Sequence, residues 1–170
     1  IDQKAMYLES GRNKLAPLPN YGAVAGSPLV EKDTDTLIYG AENGLLYTID
    51  LNLDFDFATP SMTIEPETIA YGYEVPQKKE VSLEGSVAMY GNYVYMADGN
   101  GTLQCVDVNT MQPVWVADVT DNTDASIALE IEDDGGVALY TACSTQRQTG
   151  GKKGAFVRRF NALTGEMMWE

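Results

Sequence analysis

The chain has 170 residues, 44% of them hydrophobic and 21% charged, which is the composition of a folded chain rather than a disordered one. Its net charge of −14 argues against nucleic acid or an anionic membrane surface as a partner, because both attract clustered Lys and Arg. The absence of histidine excludes His-ligated zinc and serine–histidine or cysteine–histidine catalysis by this chain alone.

The first third of the chain contains one set of alternating apolar runs. Residues 1–21 show little periodicity, and their two prolines favour extended backbone, so we interpret them as an entry strand and a loop. Residues 22–52 then alternate apolar and polar positions around Asn43-Gly44, a pair typical of a hairpin tip. This first copy closes at Asp50.

An insertion at 53–81 follows the first copy. It carries Phe55, Phe57, Tyr71 and Tyr73 among acidic residues and prolines. Aromatic side chains in an insertion on a rigid scaffold predict a binding element. The alternative, that these aromatics cover the open end of a sheet, remains equally open. Tyr71, Tyr73 and the later Tyr93 are candidates for a ligand-binding rim.

The second copy, residues 82–120, has the clearest pattern. Three alternating runs are separated by Gly91-Asn92 and by 98–101, so we predict a meander of short antiparallel strands. Four strands in about 40 residues make the unit of a propeller blade. The segment 98–102 has the oxygen side chains of half a calcium loop but lacks its distal glutamate, which favours a plain hairpin.

The third copy, residues 124–170, repeats the same order of features. Its hairpin is stretched into a polar loop at 143–154. Ser27, Ser86 and Ser126 mark the same point in each copy. Self-similarity of about 40 residues predicts a repeat architecture, and the lack of 3.6-residue periodicity predicts little helix.

The closing segments of the second and third copies resemble the tryptophan docking motif of quinoprotein-type, or pyrroloquinoline-quinone-like, propellers. That motif runs Ala, any, Asp, two of any, Thr, Gly, Lys, two of any, Trp. The residues that match it here, and to which the resemblance gives a structural docking role, are Asp107, Thr110, Trp115, Asn161, Thr164, Gly165 and Trp169. The second copy has Met111 at the glycine position, and the first copy keeps Asp50 but lacks the Thr-Gly turn and the tryptophan.

The resemblance implies an all-β fold, a partial β-propeller of four-stranded antiparallel blades. We expect one domain of three to four blades, with repeats at approximately 22–52, 82–120 and 124–170. A closed ring needs roughly 300 residues at about 40 per blade, so this chain alone does not close it. Further blades or self-association would then have to cover apolar blade faces.

Two other features could carry chemistry. The loop that follows the second copy offers oxygen ligands for calcium, and its candidate ligands are Asp118, Asp121, Asn122 and Asp124. The alternative is a solvated acidic loop. Cys105 and Cys143 are either two buried thiols or a disulfide. We expect no cofactor other than, at most, calcium.

The resemblance implies a non-catalytic propeller module for protein binding or scaffolding in the bacterial cell envelope or outside the cell. Its partner would be a protein or a cell-surface polymer. The first alternative is a carbohydrate-binding or polysaccharide-processing propeller. A quinone-dependent dehydrogenase ranks below it, because the two cysteines are not adjacent and nothing matches the catalytic segments of those enzymes. The sequence predicts no transmembrane segment. It has no signal peptide, and since it begins at Ile1 this absence excludes nothing.

Overall fold

A computed structural model describes residues 23–73, 81–144 and 156–170, and within these ranges the chain forms fourteen β-strands and no helix. Twelve strands form three antiparallel sheets of four strands, and two form a separate hairpin. The three sheets contain strands from the three predicted repeats, and the fold is a partial all-β propeller of three described blades. The described residues include no helix long and apolar enough to cross a membrane.

Blade 1 has a strand order that its sequence did not reveal. Its sheet order is β1-β2-β3-β6, and a hairpin, β4–β5, lies in the chain between the third and fourth strands. The strands are β1 (Leu29–Glu31), β2 (Thr36–Gly40), β3 (Leu46–Asp50), β4 (Leu53–Asp56), β5 (Ser61–Ile64) and β6 (Glu67–Tyr71). The predicted insertion therefore contains both an added hairpin and the closing strand of blade 1, which pairs with β3 without the docking motif.

Blades 2 and 3 are uninterrupted meanders. The strands of blade 2 are β7 (Ala88–Tyr90), β8 (Tyr93–Ala97), β9 (Thr102–Asp107) and β10 (Gln112–Asp118). Those of blade 3 are β11 (Ala128–Ile131), β12 (Val137–Cys143), β13 (Phe156–Asn161) and β14 (Met167–Trp169). Most of the predicted loop at 143–154 lies outside the described residues, as does the predicted entry strand at 1–21.

The predicted hairpin tips are turns stabilised by glycine. Gly44 and Gly101 both have positive φ, 74° and 84°, which glycine adopts without the steric cost that a Cβ brings. The Asp98 carboxylate accepts hydrogen bonds from the backbone N–H groups of Asn100 and Thr102, each at 2.8 Å. Segment 98–102 is therefore a hairpin, as predicted, and its aspartate organises the turn.

The marker serines connect successive blades. The backbone N–H of Ser27 donates to the Ser86 hydroxyl at 2.8 Å, and that of Ser86 donates to the Ser126 hydroxyl at 3.4 Å. A Cβ on Gly26 would lie only 2.7 Å from the carbonyl oxygen of Gly85, so the backbones of the two blades lie too close here for a side chain. We name these contacts the serine ladder. Each serine lies two residues before the first strand of its blade.

The hydrophobic core lies between the blades. One cluster fills the junction of blades 1 and 2 and a second that of blades 2 and 3; their largest fully buried members include Ile38, Leu46, Leu83, Met96, Tyr95, Leu103, Leu139 and Phe160. Blade 2 thus buries both faces against neighbours, as expected of stacked repeats. A third cluster, formed by Tyr39, Ala41, Leu45, Tyr47 and Ile49, lies within blade 1. The side chains in each of the first two clusters therefore determine how closely the two blades pack.

Candidate functional site

A row of side chains crosses each sheet at the same register. The rows are Leu29–Ile38–Thr48–Ile69 in blade 1, Ala88–Tyr95–Cys105–Trp115 in blade 2 and Ala128–Tyr140–Arg159–Trp169 in blade 3. Blades 2 and 3 have a tyrosine on the second strand and a tryptophan on the fourth. Blade 1 has isoleucine at both positions. The junctions therefore differ at a defined pair of positions.

The junction of blades 2 and 3 is closed by Trp115. Its indole N–H donates to the carbonyl oxygen of Ala162 in blade 3 at 2.8 Å. The ring lies over Gly165, where an added Cβ would be 2.6 Å from ring carbon Cδ2. Tyr95 supports the indole from its own sheet, with ring centroids 6.0 Å apart. Trp115 thus contacts blade 3 through both a hydrogen bond and a steric fit to glycine.

The other docking residues shape the turns that follow the third strands. The Asp107 carboxylate accepts from the N–H of Asn109 at 2.9 Å. The Asn161 side-chain oxygen accepts from the N–H of Thr164 at 3.1 Å, and the Thr164 hydroxyl accepts from Glu166 at 3.3 Å. Thr110 is exposed in its turn. These contacts are local, and of the predicted set only Trp115 and Gly165 meet across a junction.

Trp169 lies on the far face of blade 3, where 46% of its surface is exposed. It packs near Tyr140, with ring centroids 6.2 Å apart. That face also carries an ion pair between Arg159 and Glu132, and Tyr140 donates to a carboxylate. Polar groups therefore share this face with the tryptophan, and it is less apolar than the open blade face that we expected. Self-association through it remains a prediction.

The predicted cation loop packs against a buried arginine. Arg158 is 3% exposed, and its Nη1 donates to the Val119 carbonyl at 2.7 Å while its Nη2 donates to the Thr120 hydroxyl at 3.2 Å. The guanidinium also lies 4.9 Å from the centre of the Phe156 ring and within 3.3 Å of the Cys143 sulfur. A fixed positive charge thus already binds oxygen atoms of this loop.

The four candidate ligands differ in their surroundings. Asp118 is exposed and accepts from the N–H of Thr120 at 2.7 Å; Asp121 and Asn122 are buried, and the Asn122 amide donates to Asp124 at 2.8 Å. Across the described ranges, no three acidic or thiol side chains are arranged to hold a metal ion. The cation site gains no support from this geometry and stays a prediction.

The three candidate rim tyrosines are not on one surface. Tyr71 is buried and donates to the Gln104 side chain at 2.9 Å, and Tyr73 donates to Asp98 at 2.5 Å. These two rings stack with centroids 6.0 Å apart. Tyr93 begins β8, at the end of that strand opposite Asp98. Tyr71 and Tyr73 therefore seal blade 1 against blade 2, and a platform made of all three is not formed.

Both cysteines are buried and free. They are therefore two buried thiols and do not form the alternative disulfide. Burial raises the pKa of the Cys105 thiol to about 12. Burial likewise raises the pKa of the adjacent Tyr95 hydroxyl, and the neighbouring thiol adds to that shift. Cys105 is therefore a core side chain that keeps its proton, not a nucleophile.

We expect the free energy of unfolding to fall as pH rises above about 8.5, because the unfolded chain loses the Cys105 proton there while the folded chain keeps it up to about pH 12. One such proton contributes a slope of at most about 1.4 kcal/mol per pH unit. Urea unfolding of the wild type and of Cys105→Ala between pH 8 and 10 measures it. The slope should be shallower in the variant, and equal slopes would contradict this assignment.

A cleft of about 460 Å³ lies between blade 1 and the turns of blade 2 at 91–92 and 108–109. Four apolar residues line it: the exposed Ile69, the partly buried Met89 and Val108, and the fully buried Ile38. Its rim is polar and carries four carboxylates: Glu31, Asp33, Asp50 and Glu67. The cleft lies at the junction whose register row lacks the aromatic pair.

The β4–β5 hairpin projects from blade 1 with one apolar and one polar face. Register pairs Leu53 with Ile64 and Phe55 with Met62, so these four side chains share one face. They are 40–60% exposed, and Phe57 beside them is 86% exposed. The other face presents Asp54, Asp56, Ser61 and Thr63.

The hairpin is held at both ends. At its base, the Asn52 amide donates to the Glu65 carbonyl at 2.8 Å. At its tip, Asp56 accepts from the Thr59 hydroxyl and from the N–H of Ala58, and these hydrogen bonds lower the pKa of that carboxyl. Short-range polar contacts thus fix the position of the apolar face.

A protein-family model described as the LVIVD repeat matches residues 85–120, which is blade 2 with its flanking turns. No curated protein matches the chain. Among solved structures, BamB from Moraxella catarrhalis is 18% identical, with a TM-score of 0.53 over 91% of this chain and 40% of its own. A europium-containing methanol dehydrogenase is also 18% identical, with a TM-score of 0.55 over 91% of this chain and 26% of its own.

A third structure, the quinohemoprotein alcohol dehydrogenase from Comamonas testosteroni, is 18% identical, with a TM-score of 0.53 over 88% of this chain and 21% of its own. Together with the three four-stranded sheets, these matches show the fold. The chain is a partial β-propeller, and its closing segments resemble the quinoprotein-type repeat. It spans less than half the length of each of these three structures, and at this identity the likeness shows the fold alone.

Blade 3 contains one important residue that sequence reasoning missed. Arg158 alternates with Phe156 and Phe160 in β13, so all three side chains lie on one face of the strand. An arginine that shares a period-two face with two phenylalanines should be buried, and this signal was present in the sequence. The interblade cleft had a weaker signal, the missing tryptophan of the first repeat.

Proposed function

We propose that this chain is a non-catalytic propeller module that binds a protein partner through the β4–β5 hairpin. The observation that carries the proposal is the exposed apolar face formed by Leu53, Phe55, Met62 and Ile64, with Phe57 beside it. A two-stranded hairpin is at best marginally stable on its own, and here it exposes the apolar side chains that would normally be buried. Burial against a partner would complete it.

The fixed conformation of the hairpin and its exposed aromatic side chains both favour a protein as the partner. The contacts of Asn52 and Asp56 hold the hairpin before binding, which lowers the entropy cost of association. The two phenylalanine rings lie edge to face with centroids 4.7 Å apart, and they form the kind of aromatic anchor that carries binding energy. Asp54 and Asp56 flank this anchor, so we expect an apolar pocket bordered by basic side chains.

We place this module outside the cytoplasm, anchored to or secreted from a bacterial envelope, with a protein or a surface polymer nearby. This location is supported only by the resemblance of the closing segments to quinoprotein-type repeats. Fractionation of the source cells tests the location directly, and recovery of the chain in the cytoplasmic fraction would contradict it.

We expect a Phe55→Ser/Phe57→Ser variant to bind its partner at least tenfold more weakly while its free energy of unfolding changes by less than about 1 kcal/mol, because both side chains are exposed. A photoreactive residue at position 57 identifies the protein that contacts the hairpin, and titration of that purified protein gives the affinity.

The matched control is Val114→Ser/Val116→Ser, which removes two exposed apolar side chains from the fourth strand of blade 2. This control should bind like the wild type. Equal losses in the two variants, or equal crosslinking from positions 57 and 116, would contradict the hairpin as the binding element.

The dehydrogenase alternative has its own test. Calcium together with pyrroloquinoline quinone should leave the unfolding temperature of a non-catalytic module unchanged. A ligand present at a hundred times its dissociation constant would stabilise a native site by about 2.7 kcal/mol. A clear upward shift would therefore overturn the non-catalytic assignment.

A further inference from the structure

The cleft between blades 1 and 2 lies where the next junction holds two aromatic rings. Tyr95 and Trp115 occupy the second and fourth strands of blade 2 at the register where blade 1 has Ile38 and Ile69. Both isoleucines line the cleft. Ile38 is fully buried, whereas Ile69 is 58% exposed, so the open volume lies at the fourth strand, where the next junction has Trp115.

The blade 2 side of the cleft also differs from the blade 3 side of the next junction. In blade 3 the indole of Trp115 meets Gly165 and donates to the carbonyl of Ala162. In blade 2 the motif places Met111 and Val108 at these positions, and Val108 lines the cleft. Met111 has φ 51°, and its sulfur accepts from the Thr48 hydroxyl at 3.9 Å. The methionine thus bridges the junction at one point but leaves about 460 Å³ unfilled.

The size of the cleft suits a small ligand. Pockets that bind small molecules are typically about 300–1,000 Å³ and are mostly apolar, with a few polar groups that set orientation. The apolar residues that line this cleft and have exposed surface are Ile69, Met89 and Val108, and hydroxyl and amide groups also line it.

The charge around the cleft selects the sign of the ligand. Four of its lining residues are carboxylates, and among the described residues that line it none is Lys or Arg. Glu31 accepts hydrogen bonds from the hydroxyl and N–H of Thr34, which lower the pKa of that carboxyl and keep it ionised. An anionic ligand would be repelled, and a cationic one attracted.

We propose that the cleft between blades 1 and 2 binds a small aromatic cation, with its ring against Ile69, Met89 and Val108 and its ammonium group at the lining carboxylates. The proposal does not depend on the hairpin's role. The carboxylates of Asp50 and Glu67 lie on the blade 1 side, next to Thr48 and Ile69 in β3 and β6.

Two commercially available indoles of opposite charge test the proposal directly. We expect tryptamine to bind the full chain at least tenfold more tightly than indole-3-acetate, measured by calorimetry or by chemical-shift titration at low salt. Equal affinity for the two, or no binding of tryptamine at millimolar concentration, would overturn the proposal.

A variant that fills the cleft locates the site. Ile69→Trp together with Met111→Gly restores the aromatic and the glycine of the other junction, and this variant should bind tryptamine at least tenfold more weakly. The control is Ile131→Trp, the same substitution at a site that is 68% exposed and outside the cleft. Circular dichroism and thermal unfolding verify that both variants fold. Unchanged affinity in the filled variant would place tryptamine elsewhere and overturn the assignment.

A second pair of variants tests the rim without altering the apolar residues of the cleft. Glu67→Gln should weaken tryptamine binding severalfold, whereas Asp54→Asn, on the hairpin outside the cleft, should leave it unchanged. If both charge removals weaken binding equally, the effect comes from net charge and the proposed rim is wrong. This arm remains informative even if the filled variant does not fold.

Discussion

Gly165→Ala is expected to destabilise the chain by about 3 kcal/mol, although it adds a single methyl group. The new Cβ would lie 2.6 Å from the Trp115 ring, and a clash of this kind in a packed site costs about 1–3 kcal/mol. The residue also has φ 75°, a conformation that costs a side chain about 1 kcal/mol more. Chemical unfolding of the wild type and the variant measures the sum.

Gly135→Ala is the matched control, because Gly135 has φ 87° and nothing within 4 Å of an added Cβ. It should cost only the backbone term of about 1 kcal/mol. Trp115→Ala should cost about 3 kcal/mol by removing a partly buried indole. The double variant Trp115→Ala/Gly165→Ala should cost less than the sum, since the alanine then has no ring to meet. Additive costs would mean that the two residues do not form the junction.

Arg158→Met is the second substitution with a large expected effect. It removes a buried guanidinium that donates to the Val119 carbonyl, the Thr120 hydroxyl and the side chain of Glu170. Leaving a buried carbonyl without its partner costs about 1–3 kcal/mol, and loss of the charged hydrogen bonds adds to this. We expect a total loss of about 3 kcal/mol in the free energy of unfolding.

The neighbouring Arg159 supplies the control. It pairs with Glu132 at a more exposed position, and exposed ion pairs are worth about 0–1 kcal/mol. Arg159→Met should therefore cost less than about 1 kcal/mol. Comparable losses in the two variants would show that burial of Arg158 does not contribute. Amide exchange in segment 118–124 should also accelerate in Arg158→Met alone, because that side chain holds this loop.

The repeats and hairpins could be predicted because their signals are local. Asn43-Gly44 and 98–101 form turns from contiguous residues, and a turn residue acts on its own backbone whatever surrounds it. The tryptophan contact could be anticipated from the resemblance of the closing segments to the quinoprotein-type repeat. Its partner atoms, the Ala162 carbonyl and Gly165, lie in the next blade and became visible only in the structure.

The features that escaped prediction depend on distances between blades. The closing strand of blade 1, β6, lacks the docking motif, and its pairing with β3 follows an added hairpin that no local pattern announces. The candidate rim tyrosines lie apart for a related reason, because Tyr71 packs between blades 1 and 2 whereas Tyr93 packs against the cluster between blades 2 and 3. The cleft likewise depends on residues from two blades, such as Ile69 and Val108.

The serine ladder has a consequence for how such a protein can change during evolution. Ser27 and Ser86 are 59 residues apart, Ser86 and Ser126 only 40, and yet both pairs are joined by the same kind of hydrogen bond. Most of the extra residues of the first interval lie between the third strand of blade 1 and Ser86, where the β4–β5 hairpin lies. An insertion at this position therefore leaves the hydrogen bond between Ser27 and Ser86 in place. A blade can gain surface residues after its third strand while it keeps the serine contact to its neighbour.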